Sequence, residues 1–119
     1  MSTHHILLAL TNAVEGRDDE FNDWYTNRHL DDLLQIPGVT AARRYALSDV
    51  QRIPPPYPYK YCALYEIETD DLSRVMNALG ERARTPAMPI SDAMAPNSLI
   101  LYFSSITDWV RATHGRTEV

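Results

Sequence analysis

The segment from Glu20 to Leu30 holds the side chains best suited to chemistry, because a histidine and two large aromatic residues fall within one predicted helix. At about 100° per residue, His29 shares the apolar side of that helix with Tyr25 and Phe21, so its imidazole is predicted to point inward. A histidine with an ordinary pKa changes charge near neutral pH and could serve as a general acid or base. If the ring is tied only to a backbone carbonyl, His29 is instead a buried core residue, and both interpretations stay open.

Two aromatic residues accompany His29 in this helix. Tyr25 lies one turn earlier, where its phenol could hydrogen-bond a substrate oxygen or simply fill the layer between helix and sheet. Trp24 lies about 100° around the helix from Tyr25, which favours packing or the rim of a pocket over a reactive role. We therefore predict His29 and Tyr25 as catalytic residues and Trp24 as a substrate-binding residue.

Further candidates lie on predicted strands. His5 opens the first strand and could pair with His29 across a cavity, or it could be a hydrated strand end. Arg43 and Arg44 point to opposite faces of the second strand, so only one can reach a pocket, where it would suit a carboxylate or an enolate. Tyrosines on the strands could line a cavity for a flat, mostly apolar ligand, or they could be ordinary residues of the core and the dimer interface. The predicted substrate-binding residues on the strands are His5, Arg43, Tyr45 and Tyr65.

The hydrophobic pattern predicts the elements that position these residues. Apolar or alternating runs predict four strands, at His4–Thr11, Val39–Leu47, Lys60–Glu68 and Ser98–Ile106. Helical periodicity predicts one helix from Arg17 to Gln35, before Pro37-Gly38, and another from Leu72 to about Ala83. The β-α-β-β-α-β order is that of α+β ferredoxin-like folds, in which a four-stranded antiparallel sheet carries two helices on one face.

The other face of this sheet also needs a cover. Ile6 and Leu8 alternate with equally apolar neighbours along the first strand, and the fourth strand is apolar on both sides. A second copy of the chain is the simplest cover, so we predict a homodimer through this face. Two irregular segments, Pro54–Pro58 and Thr85–Pro96, could border the mouth of a pocket.

Length and composition narrow the class of protein. The 119 residues, 45% of them apolar, suffice for a single domain, predicted over residues 1–119 with a polar tail from about residue 107. A net charge of −5 with scattered basic residues argues against a nucleic-acid partner. A single cysteine, Cys62, and the lack of an apolar run of about 18 residues predict a cytoplasmic protein without a membrane partner. Because the sequence has no phosphate-binding glycine loop and no closely spaced set of metal ligands, we predict no cofactor and no metal.

The N-terminal part of the chain also resembles a known family. Val14 to Tyr25 (VEGRDDEFNDWY), His29-Leu30, Ile36 to Val39 (IPGV) and Ala41 to Tyr45 (AARRY) are similar to the EthD-like branch of the dimeric α+β barrel superfamily, which carries a pattern of the form EFNxWYxxxHL…PGxxxAxRF. The resemblance implies dimers that pack sheet on sheet and, in several relatives, a ligand between the sheet and the helices of one subunit. Such relatives include cofactor-free cyclases, isomerases and monooxygenases as well as haem-binding enzymes, so the resemblance does not select a reaction.

Two functions are consistent with these patterns. The first is a small cofactor-independent enzyme with a histidine acid or base, acting on an aromatic or polyketide-like metabolite by lyase, cyclase, isomerase or monooxygenase chemistry. In that enzyme His29 moves a proton, while Tyr25 and an arginine hold the oxygen that becomes negative. The second is a non-catalytic dimeric carrier or auxiliary protein in a catabolic pathway. In both, the partner is a small apolar or aromatic metabolite.

Overall fold

The computed structural model describes residues 3–113, and within them the elements follow the predicted β-α-β-β-α-β order. The strands are β1 (His4–Thr11), β2 (Val39–Ala46), β3 (Tyr61–Glu68) and β4 (Leu99–Ser104). The helices are α1 (Asp18–Trp24), α2 (Leu30–Leu34) and α3 (Leu72–Arg82), and a π-helical turn at Tyr25–His29 joins the first two. None of the helices in this part of the chain combines the length and the apolar character needed to cross a bilayer. The predicted α+β, ferredoxin-like arrangement is confirmed.

The strands form an antiparallel sheet in the order β2-β3-β1-β4. Leu7 lies opposite Tyr65 of β3 on one side and opposite Tyr102 of β4 on the other. Because paired side chains point to the same face of a sheet, these three residues share one face. Leu7 and Tyr65 belong to the same buried core as Phe21 of the first helix, so this is the face that the helices cover.

The first helix is continuous but changes its winding in the middle. Asp18, Asp19 and Glu20 form its first turn, where their negative charges suit the positive end of the helix dipole. The backbone then widens into the π-helical turn and returns to α-helical winding in α2. Such π-helical turns are rare and occur frequently at functional sites. The predicted span of this helix agrees with the structure to within one residue at each end, but the π-helical turn was not predicted.

The turn from α2 into β2 fixes how the first helix packs on its neighbours. Gly38 has a φ of +101°, a left-handed conformation that favours glycine. A Cβ atom at this position would lie 3.0 Å from Val75 Cγ2 and 3.3 Å from the carbonyl oxygen of Glu68. Glycine therefore allows the end of the first helix to approach α3 and the end of β3 closely.

A β-bulge interrupts the pairing of β2 with β3. Val39 lies opposite Ile67, but the next paired residue, Ala41, lies opposite Glu66, so β2 accommodates Thr40 as an extra residue. One extra residue reverses which side chains of a strand face the core. Beyond the bulge, the even-numbered residues of β2 therefore face the helices and the odd-numbered residues face away.

The sheet face away from the helices carries large apolar side chains that remain exposed. Leu99, Leu101 and Phe103 of β4 expose between 40% and 48% of their surface. Tyr45 of β2 exposes 46%. The alternation that buries the helix side of β1 thus leaves an apolar surface on the opposite side of the sheet.

Candidate functional site

His29 lies at the end of the π-helical turn, between two aromatic rings. Its imidazole stacks on Trp24 with ring centres 4.6 Å apart, and it meets the ring of Tyr25 edge-on at 4.9 Å. Within residues 3–113, its Nδ1 atom is buried and has no hydrogen-bond partner. Burial lowers the pKa of His29 to about 4, because the nearby Asp32 carboxylate offsets the desolvation only partly and Arg44 adds repulsion. His29 is therefore a neutral imidazole at neutral pH.

Arg44 reaches this cluster from β2. Its Nη1 donates to Thr26 Oγ1 and its Nη2 donates to Asn22 Oδ1, each at 2.9 Å. The guanidinium carbon lies 4.5 Å from the centre of the Tyr25 ring, within the range of a cation–π contact. Burial lowers the pKa of Arg44 below its ordinary value, yet a guanidinium stays charged in proteins. Among the described residues its buried Nε has no hydrogen-bond partner, so this N–H is a donor without an acceptor.

Two tyrosine hydroxyls lie between the helix and the sheet. Tyr65 donates a hydrogen bond to the Tyr25 hydroxyl across 3.2 Å, and both side chains are almost fully buried. Burial raises the pKa of each phenol above its ordinary value, so both keep their protons at neutral pH. Because the Tyr25 oxygen accepts from Tyr65, its own hydrogen can be donated elsewhere.

A chain of polar contacts holds Asn22 in place and, through it, Arg44. Asn22 Nδ2 donates to the Tyr61 hydroxyl at 3.2 Å, and that hydroxyl donates to Asp18 at 2.6 Å. Lys60 Nζ also bonds the same Asp18 oxygen at 3.0 Å. The hydrogen bonds from Tyr61 and Lys60 lower the pKa of the Asp18 carboxyl. These contacts direct the amide oxygen of Asn22 at the guanidinium.

The segment between α3 and β4 packs over the first helix next to His29. Trp24, the stacking partner of His29, donates its Nε1 hydrogen to the carbonyl oxygen of Pro89 at 3.1 Å. Met88 of the same segment is fully buried in the core. The irregular segment predicted at Thr85–Pro96 is therefore a cover for the helix that carries the site.

Two of the predicted site residues face away from this cluster. Arg43 and Tyr45 pair with Leu64 and Cys62 on the sheet face that the helices leave open. The structure therefore does not bring Arg43 and Tyr45 into the cluster around His29. The β-bulge in β2 is the reason, since it shifts the alternation by one residue and turns Arg44 toward the helices.

His5 faces the helices, but its ring is already hydrogen-bonded. Its Nδ1 lies 2.7 Å from Ser104 Oγ and its Nε2 lies 3.2 Å from the carbonyl oxygen of Thr69. Both nitrogens are engaged, so the suggested pair of His5 with His29 is not formed. The four remaining predicted residues lie together in the site: Trp24, Tyr25, His29 and Tyr65.

Two residues that hold Arg44 in the site were not predicted from the sequence. Arg44 was left as an alternative to Arg43, and Asn22 and Thr26 were not considered. Asn22 and Thr26 are four residues apart, which places two hydrogen-bond acceptors on one flank of the helix. Two acceptors at this spacing in a predicted helix indicate that the helix can hold a cationic side chain, such as an arginine, in place.

In amino-acid sequence, no family model matches the chain. It is 31% identical over 74 residues to core atranone cluster (CAC) protein 1 of Stachybotrys chlorohalonatus. The matched region is 60% of this chain and 29% of that protein, so the chain spans less than a third of the length of this relative.

Three solved structures of bacterial proteins are similar to this one. An ethyl tert-butyl ether d (EthD) family protein from Bacillus halodurans has a TM-score of 0.58 at 15% identity, covering 87% of this chain and 99% of that chain. A protein provisionally described as a monooxygenase from Shewanella loihica has a TM-score of 0.57 at 14% identity, with 91% and 99% covered. One provisionally described as an antibiotic biosynthesis monooxygenase from Nitrosomonas europaea has a TM-score of 0.59 at 11% identity, with 89% and 93% covered. These likenesses show that the chain has the ferredoxin-like α+β fold that its EthD-like sequence pattern predicts.

Proposed function

We propose that this chain is a small cofactor-independent enzyme that uses His29 as an acid or base on an aromatic or polyketide-like metabolite. The observation that carries this proposal is a neutral, partly buried imidazole whose buried Nδ1 has no partner among the described residues, in one cluster with a guanidinium whose buried Nε has none. Both groups contact the ring of Tyr25. A base, a fixed cation and an aromatic wall suffice to move a proton on a carbonyl compound.

In the proposed reaction, a C–H bond next to a substrate carbonyl breaks and its proton moves to Nδ1 of His29. The electron pair moves onto the carbonyl oxygen, and the resulting enolate accepts hydrogen bonds from Arg44 Nε and the Tyr25 hydroxyl. Asp32 favours the imidazolium that forms, because its carboxylate attracts the charged ring. Return of the proton at another carbon gives an isomerase, and ring closure or bond cleavage from the enolate gives a cyclase or a lyase. In monooxygenase chemistry, the same carbanion reduces dioxygen.

The comparisons support a role in the chemistry of small organic molecules. Two of the similar structures are provisionally described as monooxygenases, one of them in antibiotic biosynthesis. The relative at 31% identity is named for the atranone cluster.

One observation favours a second candidate function. A pKa of about 4 makes His29 a weak base unless a ligand stabilises its charged form. In a non-catalytic dimeric carrier or auxiliary protein of a catabolic pathway, His29 and Arg44 would only hydrogen-bond an apolar metabolite that carries an oxygen. The two candidates share the site and differ in whether the bound compound is converted.

A ligand screen followed by a conversion assay separates the two candidates. Aromatic and polyketide-like ketones are tested for an increase in Tm, since a compound that binds the folded chain stabilises it. Compounds that raise Tm are then incubated with wild type and with His29→Gln and followed by mass spectrometry. The enzyme proposal expects conversion by wild type and a loss of about 10²- to 10⁴-fold in the variant. Binding without conversion supports the carrier, and conversion that His29→Gln leaves intact rejects His29 as the acid or base.

We also propose that two copies form a homodimer in the cytoplasm through the sheet face away from the helices. The support is the exposure of Leu99, Leu101 and Phe103 on that face, because soluble monomers rarely leave contiguous apolar side chains in water. The single cysteine, Cys62, fits a reducing compartment. Sedimentation equilibrium is expected to give twice the mass of the chain, and the mass of one chain would reject the dimer.

A further inference from the structure

A cavity lies at the end of the sheet where β1 begins and β4 ends. Its volume is about 920 Å³, and the chain that follows β4 forms one of its walls. His5 and Ser104 line it, together with Glu68 and Asp108. No member of the His29 cluster lines it, so this cavity is separate from the site described above.

His5 and Ser104 form a hydrogen-bonded pair at this cavity. Ser104 Oγ lies 2.7 Å from His5 Nδ1, and the carbonyl oxygen of Thr69 lies 3.2 Å from His5 Nε2. Since a carbonyl oxygen can only accept, Nε2 carries the proton in the neutral ring and Nδ1 accepts the hydrogen of the Ser104 hydroxyl. His5 is 6% exposed, and Ser104 is exposed at the cavity. The base is therefore buried and oriented, while the hydroxyl can be reached.

From this arrangement we propose a second, nucleophilic site, in which Ser104 accepts an acyl group from an activated neutral ester and His5 is its general base. A nucleophile bonded to a base that a third group orients is the recurring arrangement for this chemistry. Here the third group is the Thr69 carbonyl oxygen instead of a carboxylate. The proposal is independent of the function proposed for His29.

The reaction takes place in two halves. In the first, Ser104 Oγ forms a bond to the ester carbonyl carbon while its proton moves to His5 Nδ1, and the bond from carbon to the leaving oxygen then breaks as that oxygen receives the proton. In the second, a water molecule attacks the acyl-serine while His5 takes its proton. The bond to Ser104 Oγ breaks, this oxygen takes the proton back, and a carboxylic acid is released. Water is the acyl acceptor, and no oxidant or reductant is needed.

The lining of the cavity indicates the class of ester. Ile106, Trp109 and Val110, which follow β4, supply apolar surface for an acyl chain. The carboxylates of Glu68 and Asp108 disfavour an anionic substrate, and no lysine or arginine is found among the described residues that line the cavity. Without a cation to stabilise the carbonyl oxygen, the leaving group must be a good one. Short-chain aryl esters meet these conditions.

The experiment combines a covalent probe with ester hydrolysis in the full chain. A fluorophosphonate probe is expected to label Ser104, identified by peptide mass spectrometry, and 4-nitrophenyl butyrate is expected to be hydrolysed with an initial burst of nitrophenol. Ser104→Ala and His5→Gln are each expected to lower the hydrolysis rate by at least about 100-fold. Ser98→Ala, which removes a hydroxyl that does not line the cavity, is expected to keep the wild-type rate.

The outcomes separate the proposal from background reactivity. Because His5 is buried, His5→Gln is first compared with wild type by thermal melting, and if it fails to fold, Ser104→Ala and the mapped adduct decide. The proposal is overturned if the probe labels another residue or none. It is equally overturned if Ser104→Ala hydrolyses the ester at the wild-type rate.

Discussion

We expect acid to destabilise this protein through His29, and replacing that residue isolates the effect. In the folded chain, burial holds the pKa of His29 at about 4, whereas unfolding restores the ordinary value of 6.5. The unfolded chain therefore binds more protons between these values, and the folded chain loses stability as the pH falls through 6.5 toward 4. At about 1.4 kcal/mol for each difference of one between the two pKa values, the loss from pH 7 to pH 4 is about 3 kcal/mol.

The assay is urea unfolding, followed by tryptophan fluorescence between pH 7 and pH 4, on wild type and His29→Gln in parallel. The other titrating groups are common to both proteins, so the difference between the two curves isolates His29. Wild type is expected to lose about 3 kcal/mol more unfolding free energy than the variant, about 2 kcal/mol of it by pH 5. An NMR titration of the native imidazole is expected to have its midpoint near pH 4. Parallel stability curves together with a midpoint near pH 6.5 would show that His29 is not desolvated in the folded chain.

Three further predictions use matched positions or a single exposed site. Arg44→Gln is expected to weaken binding of an enolate or carboxylate ligand, measured by calorimetry, by about 10- to 100-fold through loss of a charge-assisted hydrogen bond. The control Arg43→Gln, on the opposite face of the sheet, is expected to leave Kd unchanged. Equal effects of the two substitutions would show that Arg44 is not part of the binding site. Gly38→Ala is expected to lower the free energy of unfolding in urea by about 1–3 kcal/mol, because φ is positive at this position and the added Cβ would lie 3.0 Å from Val75 Cγ2. Gly80→Ala, where a Cβ meets nothing within 4 Å, is expected to raise the free energy of unfolding by about 0.5–1 kcal/mol. If both variants were stabilised, or both destabilised, the contacts of Gly38 would not explain the difference between the two glycines. Phe103→Lys, which charges the exposed apolar face, is expected to shift sedimentation velocity toward the monomer, and an unchanged dimer would place the interface elsewhere.

The fold could be predicted because burial leaves a periodic signal in the sequence. The residues of β1 alternate between partly and fully buried, and β3 does the same from Tyr61 to Ile67. The first helix buries Phe21, Tyr25 and Leu33 along one side. Local patterns of this kind specify which elements form and which face turns inward, and the sheet order then follows from few topological choices.

The site was less predictable because local irregularities and long-range contacts determine it. Because of a β-bulge of one residue, Arg44 faces the helices instead of Arg43. The alternation of apolar and polar residues along a strand cannot reveal where a bulge occurs. His5 is bonded to Ser104, which is 99 residues away in the sequence, so no local pattern could show that its ring is engaged. The π-helical turn that ends at His29 could not be predicted either, because the apolar residues of the first helix keep almost the spacing of an ordinary α-helix.

A crystal structure of a complex would show whether His29 and Arg44 bind an oxygen-bearing metabolite together. The compound is one that raises Tm in the screen and carries a carbonyl or enol oxygen. We expect it to bind between the first helix and the sheet, with hydrogen bonds of about 2.6–3.2 Å to His29 Nδ1 and to Arg44 Nε. If the compound stabilises the protein but binds elsewhere, with no ligand atom near either nitrogen, His29 and Arg44 do not form its binding site.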